Sequence, residues 1–266
     1  HVHGSPFTMT VEANVADPTS SQAYGSALSL ASAGEWSTFK IFSKDRFGNP
    51  NTGGAGSSFD LVVRPKSEAT DLTAAAVPVC PPSEPTPEWG NVTSLPLNVT
   101  SGICKDGTST SIDTGDGTFV ISYMWTQTGA YSLYVSVLAE GETKYLDGSP
   151  FDMTLMPGIT DITRSVASGD AYNVATAGKS MMFSVQTIDR FGNIRSSNGG
   201  DFTASLKGYA PLTSMYSPAF EDLNNGKFSV TYSATASGQY VMTIFNVDGT
   251  LQNSPRNITV FAAVSD

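Results

Sequence analysis

A five-residue block, Asp-Arg-Phe-Gly-Asn, occurs twice in this chain, at residues 45–49 and 189–193, a displacement of 144 residues. The same displacement relates residues 4–10, Gly-Ser-Pro-Phe-Thr-Met-Thr, to residues 148–154, Gly-Ser-Pro-Phe-Asp-Met-Thr. Recurrence at a fixed distance is typical of chains built from repeated structural units. A chain of 266 residues has room for two such units, each with its own buried core.

A second pair of similar segments, residues 117–123 and 226–232, is displaced by only 109 residues. The first copy therefore carries an insertion of 35 residues, which we place within about residues 66–108. Because the second copy does without this segment, we predict that the insertion is a surface loop rather than part of the core.

These displacements predict the domain organisation. We expect one repeat over residues 13–157, which includes the insertion, and a second repeat over residues 158–266. Residues 1–12 match the end of the first repeat and are predicted to be the last strand of a preceding repeat. Either the chain begins inside a longer protein, or this strand is donated to another chain.

The local pattern predicts an all-β fold. Charged residues make up only 14% of the chain, and the 25 Gly and 15 Pro residues supply many turns. Apolar residues alternate with polar ones in short runs, as in strands that bury one face. We predict strands at residues 37–42, 59–63, 117–123, 130–137 and 151–155, and at 181–188, 202–206, 226–232, 238–245 and 258–261. Such sheets cover their apolar faces by packing in pairs, as β-sandwiches.

Three motifs carry a family resemblance. Gly-Ser-Pro-Phe closes the first copy, Gly-x-Phe-x-Val-x-Tyr follows an acidic turn, and Gly-x-Tyr begins the next strand at residues 129–131 and 238–240. In this order and spacing they resemble filamin-type repeats, which implies tandem immunoglobulin-like β-sandwich domains. The second copy departs from the pattern, with Asn-Ser-Pro-Arg at residues 253–256. The Asp-x-Phe-Gly-Asn block also resembles bacterial immunoglobulin-like adhesin repeats.

The resemblance to filamins also implies a binding mode. In that family, a partner segment adds a strand beside the third strand of a repeat, which is β-augmentation. The corresponding positions in this chain are Phe59, Leu61, Val63, Phe202, Ala204 and Leu206. The insertion leaves directly from the strand of the first copy, so it can cover that groove.

The two cysteines, Cys80 and Cys104, lie inside the Pro-rich insertion and are predicted to form a disulfide; two reduced thiols are the alternative. The Asn-x-Ser/Thr triplets begin at Asn91, Asn98 and Asn257, a number that chance alone would produce. Two of them nevertheless fall between the cysteines. We therefore predict an extracellular or cell-surface location, with N-linked glycans at these asparagines.

Several functional classes are disfavoured. A net charge of −10 argues against binding of nucleic acid or anionic membranes, and no run of 18 apolar residues suits a membrane span. The only histidines, His1 and His3, do not suggest a His-dependent hydrolase or a zinc site. The acidic segment 113–117 is interpreted as turn chemistry, with calcium binding as the alternative. No catalytic residues, metal or cofactor are predicted.

The sequence therefore predicts a non-enzymatic structural or spacer module of a multi-repeat extracellular protein. Such a protein would build a cell-surface filament or appendage, for example a flagellar hair, through repeat stacking and edge contacts. The alternatives are an ectodomain for cell or gamete adhesion and an intracellular actin-crosslinking rod. The expected partners are neighbouring repeats of the same protein and other extracellular proteins.

The predicted disulfide between Cys80 and Cys104 can be tested directly. A bond that closes a loop of this size contributes about 3 kcal/mol in the chain-entropy estimate, which suits a loop with few apolar residues. We expect the denatured, unreduced protein to give no adduct with a thiol reagent when its intact mass is measured. Two adducts would show that both thiols are free.

Overall fold

The computed structural model describes residues 3–52, 57–66, 107–139, 141–197 and 199–263. The predicted disulfide residues Cys80 and Cys104, and the sequon residues Asn91 and Asn98, lie outside the described residues. The chain divides into two compact units, His1–Leu155 and Met156–Asp266. Among the described residues, no helix has the length and hydrophobicity needed to cross a membrane.

The described part of the first unit contains nine strands. They are β1 (Gln22–Tyr24), β2 (Leu30–Ser32), β3 (Ser37–Phe42), β4 (Phe59–Pro65), β5 (Gly107–Asp113), β6 (Thr118–Trp125), β7 (Gly129–Ala139), β8 (Glu142–Tyr145) and β9 (Phe151–Met156). One sheet has the order β1-β3-β6-β5, and the other has the order β2-β9-β7-β4 with β8 paired to β7. The segment predicted to be an insertion connects β4 to β5.

The second unit repeats this arrangement. Its strands are β10 (Val166–Ser168), β11 (Val174–Thr176), β12 (Met181–Gln186), β13 (Thr203–Gly208), β14 (Met215–Tyr216), β15 (Ala219–Asp222), β16 (Lys227–Tyr232), β17 (Gly238–Asn246), β18 (Gly249–Thr250) and β19 (Arg256–Phe261). The sheet orders are β10-β12-β16-β15 and β11-β19-β17-β13-β14, with β18 paired to β17. The prediction of tandem all-β sandwiches is confirmed.

The core of each unit forms between its two sheets. In β6, every second residue is buried, from Phe119 to Trp125, and the residues between them are half-buried. The rings of Phe59 and Phe119 meet edge to face across the core of the first unit, with centroids 4.7 Å apart. Phe202 and Phe228 make the equivalent contact in the second unit at 5.0 Å. Aromatic pairs of this kind add to the stability that area burial provides.

A buried tyrosine ties each core to a short 3-10 turn. The Tyr123 hydroxyl donates a hydrogen bond to the Ala27 carbonyl, and the Tyr232 hydroxyl donates one to the Ala171 carbonyl. Both tyrosines are at most 4% exposed. Burial raises the pKa of Tyr123, and it raises the pKa of Tyr232 to about 12. Both phenols therefore stay protonated, and remain donors, at any physiological pH.

Residues 3–12, which include most of the predicted last strand of a preceding repeat, form no strand in this structure. Phe7, Met9 and Val11 are 76%, 82% and 80% exposed. The assignment of this segment to another repeat therefore stays a prediction.

Replacing Tyr123 or Tyr232 by Phe should destabilise the unit that contains it. Each change leaves a buried carbonyl without its donor, which costs about 1–3 kcal/mol. Calorimetry should show one of two unfolding transitions shifted to lower temperature. The matched control is Tyr145→Phe, because Tyr145 is 51% exposed. Equal shifts for Tyr123→Phe and Tyr145→Phe would contradict this role of the buried hydroxyl.

Candidate binding edges

Strand β4 is the last strand of its sheet among the described residues, with β7 on its inner side. The Leu138 N–H donates to the Ser58 carbonyl, and this bond identifies which residues of β4 direct their backbone groups toward β7. In an antiparallel pair, every second residue directs its backbone groups toward the neighbouring strand. The backbone groups of Phe59, Leu61 and Val63 therefore face away from β7. Their side chains are buried in the core, so these residues present backbone and not side chains at the edge.

The outer edge of β4 is blocked at its centre. The Leu61 N–H, which a partner strand would need, donates to Oδ1 of Asp60 at 2.9 Å. A carboxylate at a strand edge satisfies the donor and disfavours the approach of another strand. Asp60 is not among the predicted edge positions, although a charged residue within the apolar run Phe-Asp-Leu-Val-Val is itself an edge signal.

Strand β13 is the equivalent edge of the second unit. The Tyr209 N–H donates to the Gln239 carbonyl at 2.9 Å, and the alternation from that bond directs the backbone of Ala204 and Leu206 away from β17. Strand β14 covers part of this edge, because Leu206 pairs with Tyr216 and the Gly208 N–H donates to the Ser214 carbonyl at 2.9 Å. Ala204 lies beyond the end of β14, so its outer edge has no strand pairing among the described residues.

The predicted position Phe202 precedes β13 instead of lying within it. Its half-buried ring stacks on Phe220, with the ring centroids 6.0 Å apart, and also contacts Phe228. Phe202 therefore anchors the start of β13 to the core, while Ala204 offers the backbone groups.

A tyrosine holds β14 in place. The Tyr216 hydroxyl lies 2.9 Å from Oγ1 of Thr235 and accepts a hydrogen bond from the Thr235 N–H at 3.1 Å. These hydrogen bonds lower the pKa of Tyr216 to about 8, and the bond with the Thr235 side chain has the largest effect. A two-residue strand gives no periodic signal, so the sequence did not predict this cover.

The Asp-Arg-Phe-Gly-Asn blocks are turns whose aspartates bind local backbone. Oδ1 of Asp45 accepts the N–H groups of Phe47 and Asn49 at 2.9 and 3.0 Å. Its Oδ2 accepts the Asn14 N–H at 3.2 Å, so the carboxylate also holds the segment that leads into the repeat. Asp189 likewise holds Gly158 at 2.9 Å.

The pKa values of these two aspartates reflect their hydrogen bonds. The bonds from the side chain and backbone of Asn49, together with those from Asn14 and Phe47, lower the pKa of Asp45 to about 2. At Asp189, burial opposes the shift, but the hydrogen bonds from Asn193, Gly158 and Phe191 outweigh it and the pKa is lowered. Both carboxylates are ionised at neutral pH, and their oxygens accept hydrogen bonds from the turn and from the first residues of the repeat.

The acidic segment 113–117 is also a turn. Oδ1 of Asp113 accepts the Gly115 N–H at 2.8 Å, and Oδ1 of Asp116 accepts the Thr118 N–H at 2.9 Å. In the part of the chain that the structure describes, no group of three or more His, Cys, Asp or Glu residues is arranged to hold a metal ion. The carboxylate oxygens at this turn serve the backbone.

Comparison with known proteins agrees with this geometry. The model of the Filamin/ABP280 repeat matches residues 15–152 and 159–257. The chain belongs to the filamin repeat family. Filamin-C of mouse is 26% identical over 152 residues, which are 57% of this chain and 5% of that protein, and rat Filamin-C matches to the same extent. The chain thus spans about 5% of the length of these curated relatives.

Solved structures share the fold of the two filamin repeats. The Escherichia coli adhesin FdeC has a TM-score of 0.55 and 17% identity, and the match covers 96% of this chain and 67% of that one. Invasin, a bacterial integrin-binding protein, has a TM-score of 0.51 and 15% identity, and the match covers 95% and 42%. At these identities, the likeness concerns the sandwich architecture alone.

The third sequon residue, Asn257, lies exposed on β19 of the second filamin repeat. Its Oδ1 accepts a hydrogen bond from the Tyr209 hydroxyl at 3.0 Å. An open groove of about 550 Å³ lies beside it, lined in part by Tyr209, Pro211 and Gln239. Attachment of a glycan at Asn257 stays a prediction.

The Asp45 turn makes the stability of the first filamin repeat dependent on pH. Because the pKa of Asp45 is lowered from 3.8 to about 2 on folding, its contribution is complete above about pH 4 and is lost as the pH falls toward 2. Asp45→Asn should therefore lower the melting temperature of the first repeat by several degrees at pH 7, and by much less at pH 2. A difference between variant and wild type that does not change with pH would contradict the assignment.

Proposed function

We propose that this chain is a non-enzymatic structural and adhesive segment of an extracellular multi-repeat protein, which assembles into a cell-surface filament through the edges of its filamin repeats. The observation that carries the proposal is the outward backbone of Ala204 on β13. A partner strand that adds there gains main-chain hydrogen bonds without needing a deep pocket. The Cys80 and Cys104 pair and the two sequons between them support an extracellular location over an intracellular rod.

The two repeats are not equivalent as binding edges. On β4, Asp60 already occupies the Leu61 N–H, so a partner strand would have to displace a carboxylate. On β13, the cover by β14 and the residue before it extends over residues 206–208, and Ala204 lies outside it. The second repeat is therefore the proposed binding edge, and the first repeat is proposed to act mainly as a spacer.

The aspartate turns support the same function. A spacer segment in a filament must hold the first residues of each repeat in a fixed position. Asp45 and Asp189 do this, because each carboxylate binds both its own turn and the first residues of its repeat. Neither residue is left available for proton transfer chemistry.

The test is a pair of lysines on the proposed edge, Thr203→Lys with Ser205→Lys. Charged side chains at an edge strand oppose strand addition, so we expect self-association in sedimentation velocity to fall at least about tenfold. The matched control is Ser229→Lys with Thr231→Lys, at the same spacing on β16, which is paired on both sides. The control should associate like the wild type, and both variants should keep the wild-type melting temperature within a few degrees.

Two results would contradict the proposal. One is an edge variant that associates as strongly as the wild type. The other is a wild-type chain that stays monomeric at its highest soluble concentration and shows turnover of an ester, glycoside or peptide substrate.

A further inference from the structure

The proposed edge of β13 is short while β14 is in place. Among the described residues of this strand, Ala204 has outward backbone groups clear of β14. One residue offers one N–H and one C=O, whereas strand addition draws its affinity from a run of main-chain hydrogen bonds. Leu206 and Gly208 carry the next outward groups, and both are paired with the β14 segment. The edge would therefore gain the backbone groups of two residues if β14 moved aside.

Strand β14 itself is held by few contacts. It consists of Met215, which is 67% exposed, and Tyr216. The Tyr216 hydroxyl bonds to Thr235, an exposed residue, and its ring lies against that of Tyr240 with the centroids 6.1 Å apart. Hydrogen bonds between exposed groups contribute little, because water can replace them. Segments with exposed hydrogen bonds and few buried apolar contacts open locally without unfolding of the whole domain.

The residues on both sides of β14 are anchored to the second repeat. Leu212 packs against two glycines: a Cβ added at Gly208 would lie 2.7 Å from the Leu212 Cβ, and one added at Gly238 would collide with the Leu212 side chain. On the other side of β14, Pro218 is buried. Residues 213–217 can therefore leave the edge of β13 as a loop while Leu212 and Pro218 stay in place.

We propose that residues 213–217 are a displaceable cover, and that a partner strand binds along β13 from Ala204 to Gly208 by taking the place of β14. The inference rests on the proposed strand addition at β13 and adds how that site becomes available. Because part of the binding free energy is used to open the cover, the apparent affinity falls with the fraction of open molecules. The cover therefore limits association to partners that form a longer ladder than β14 does.

Amide hydrogen exchange of the isolated chain tests whether the cover opens. The Gly208 N–H donates to the Ser214 carbonyl at 2.9 Å, whereas the Lys207 N–H faces β17, by the alternation that the bond from Tyr209 to Gln239 sets. Opening of the cover exposes the first of these amides and not the second. We expect Gly208 to exchange at least about a hundredfold faster than Lys207, relative to their intrinsic rates. Equal protection would show that the cover opens only when the whole repeat unfolds, and would overturn the proposal.

A reversible disulfide tests whether opening is needed for binding. Lys207 and Met215 are paired, and they lie between the hydrogen-bonded positions Leu206 and Gly208. The Cα atoms of such a pair are about 4.5 Å apart, within the range that a disulfide spans. When oxidised, Lys207→Cys with Met215→Cys should weaken self-association in sedimentation velocity at least about tenfold and slow exchange of the Gly208 amide. Reduction should restore both.

The matched control for the disulfide is Lys207→Ser with Met215→Ser. It removes the same two side chains but forms no bond, so it should associate like the wild type with and without reductant. The same comparison accounts for any effect of the reductant on Cys80 and Cys104.

A third variant loosens the cover. Tyr216→Phe keeps the ring and removes the bonds with Thr235, so exchange of the Gly208 amide should become faster and self-association tighter, each by about threefold to tenfold. The control is Tyr209→Phe, which removes an exposed tyrosine hydroxyl, bonded to Asn257, from the same connection without touching β14. Equal behaviour of the two variants would overturn the proposal.

The outcomes separate the cover from the strand-addition site itself. If the oxidised cysteine pair associates like the serine pair, while Thr203→Lys with Ser205→Lys abolishes association, then β13 binds without opening and the cover proposal alone fails. If no variant associates, including Tyr216→Phe, the cover and the proposed function fail together.

Discussion

Each sheet in these repeats is apolar on one face only, and the two sheets of a repeat cover each other. This constraint determines the register of the central strands, because a shift of one residue would turn Phe119, Ile121 and Tyr123 toward water. It also explains why the segment between β4 and β5 can be long in one repeat and short in the other. The core closes through strands on both sides of that connection.

Packing of the two sheets covers their apolar faces but does not provide hydrogen-bond partners for the backbone groups at the sheet edges. Backbone donors and acceptors at an outer strand need water, a side chain or another strand. The two repeats meet this need differently: Asp60 binds the Leu61 N–H in the first, and β14, held by Tyr216 and Thr235, pairs with β13 in the second. The part of β13 that remains uncovered is the proposed site of strand addition. We propose that binding occurs at these edges, whereas the aspartate turns hold the first residues of each repeat.

The sequence predicted the central strands well because their alternation is strong. The prediction for residues 37–42 coincides with β3, and those for residues 59–63 and 130–137 fall inside β4 and β7. It missed the short strands at the margins, such as β1, β10 and β14, whose two or three residues give no period, and it also missed the seven-residue β5, which begins inside the predicted insertion. The candidate edge positions could be named from the family resemblance. Their availability could be read only in part: Asp60 is next to Leu61 in the sequence and marks the first edge, whereas the cover of β13 by β14 arises from contacts that only the folded chain brings together.

We propose that this filamin-repeat chain binds its partners by strand addition. Amide hydrogen exchange, measured on the isolated and on the associated protein, tests this proposal most directly. The account predicts that association slows exchange at the amides of Phe202 and Ala204, while the central strands β6 and β16 are protected equally in both states. Slowed exchange confined to the turns at residues 45–49 and 189–193, with β13 unchanged, would contradict it.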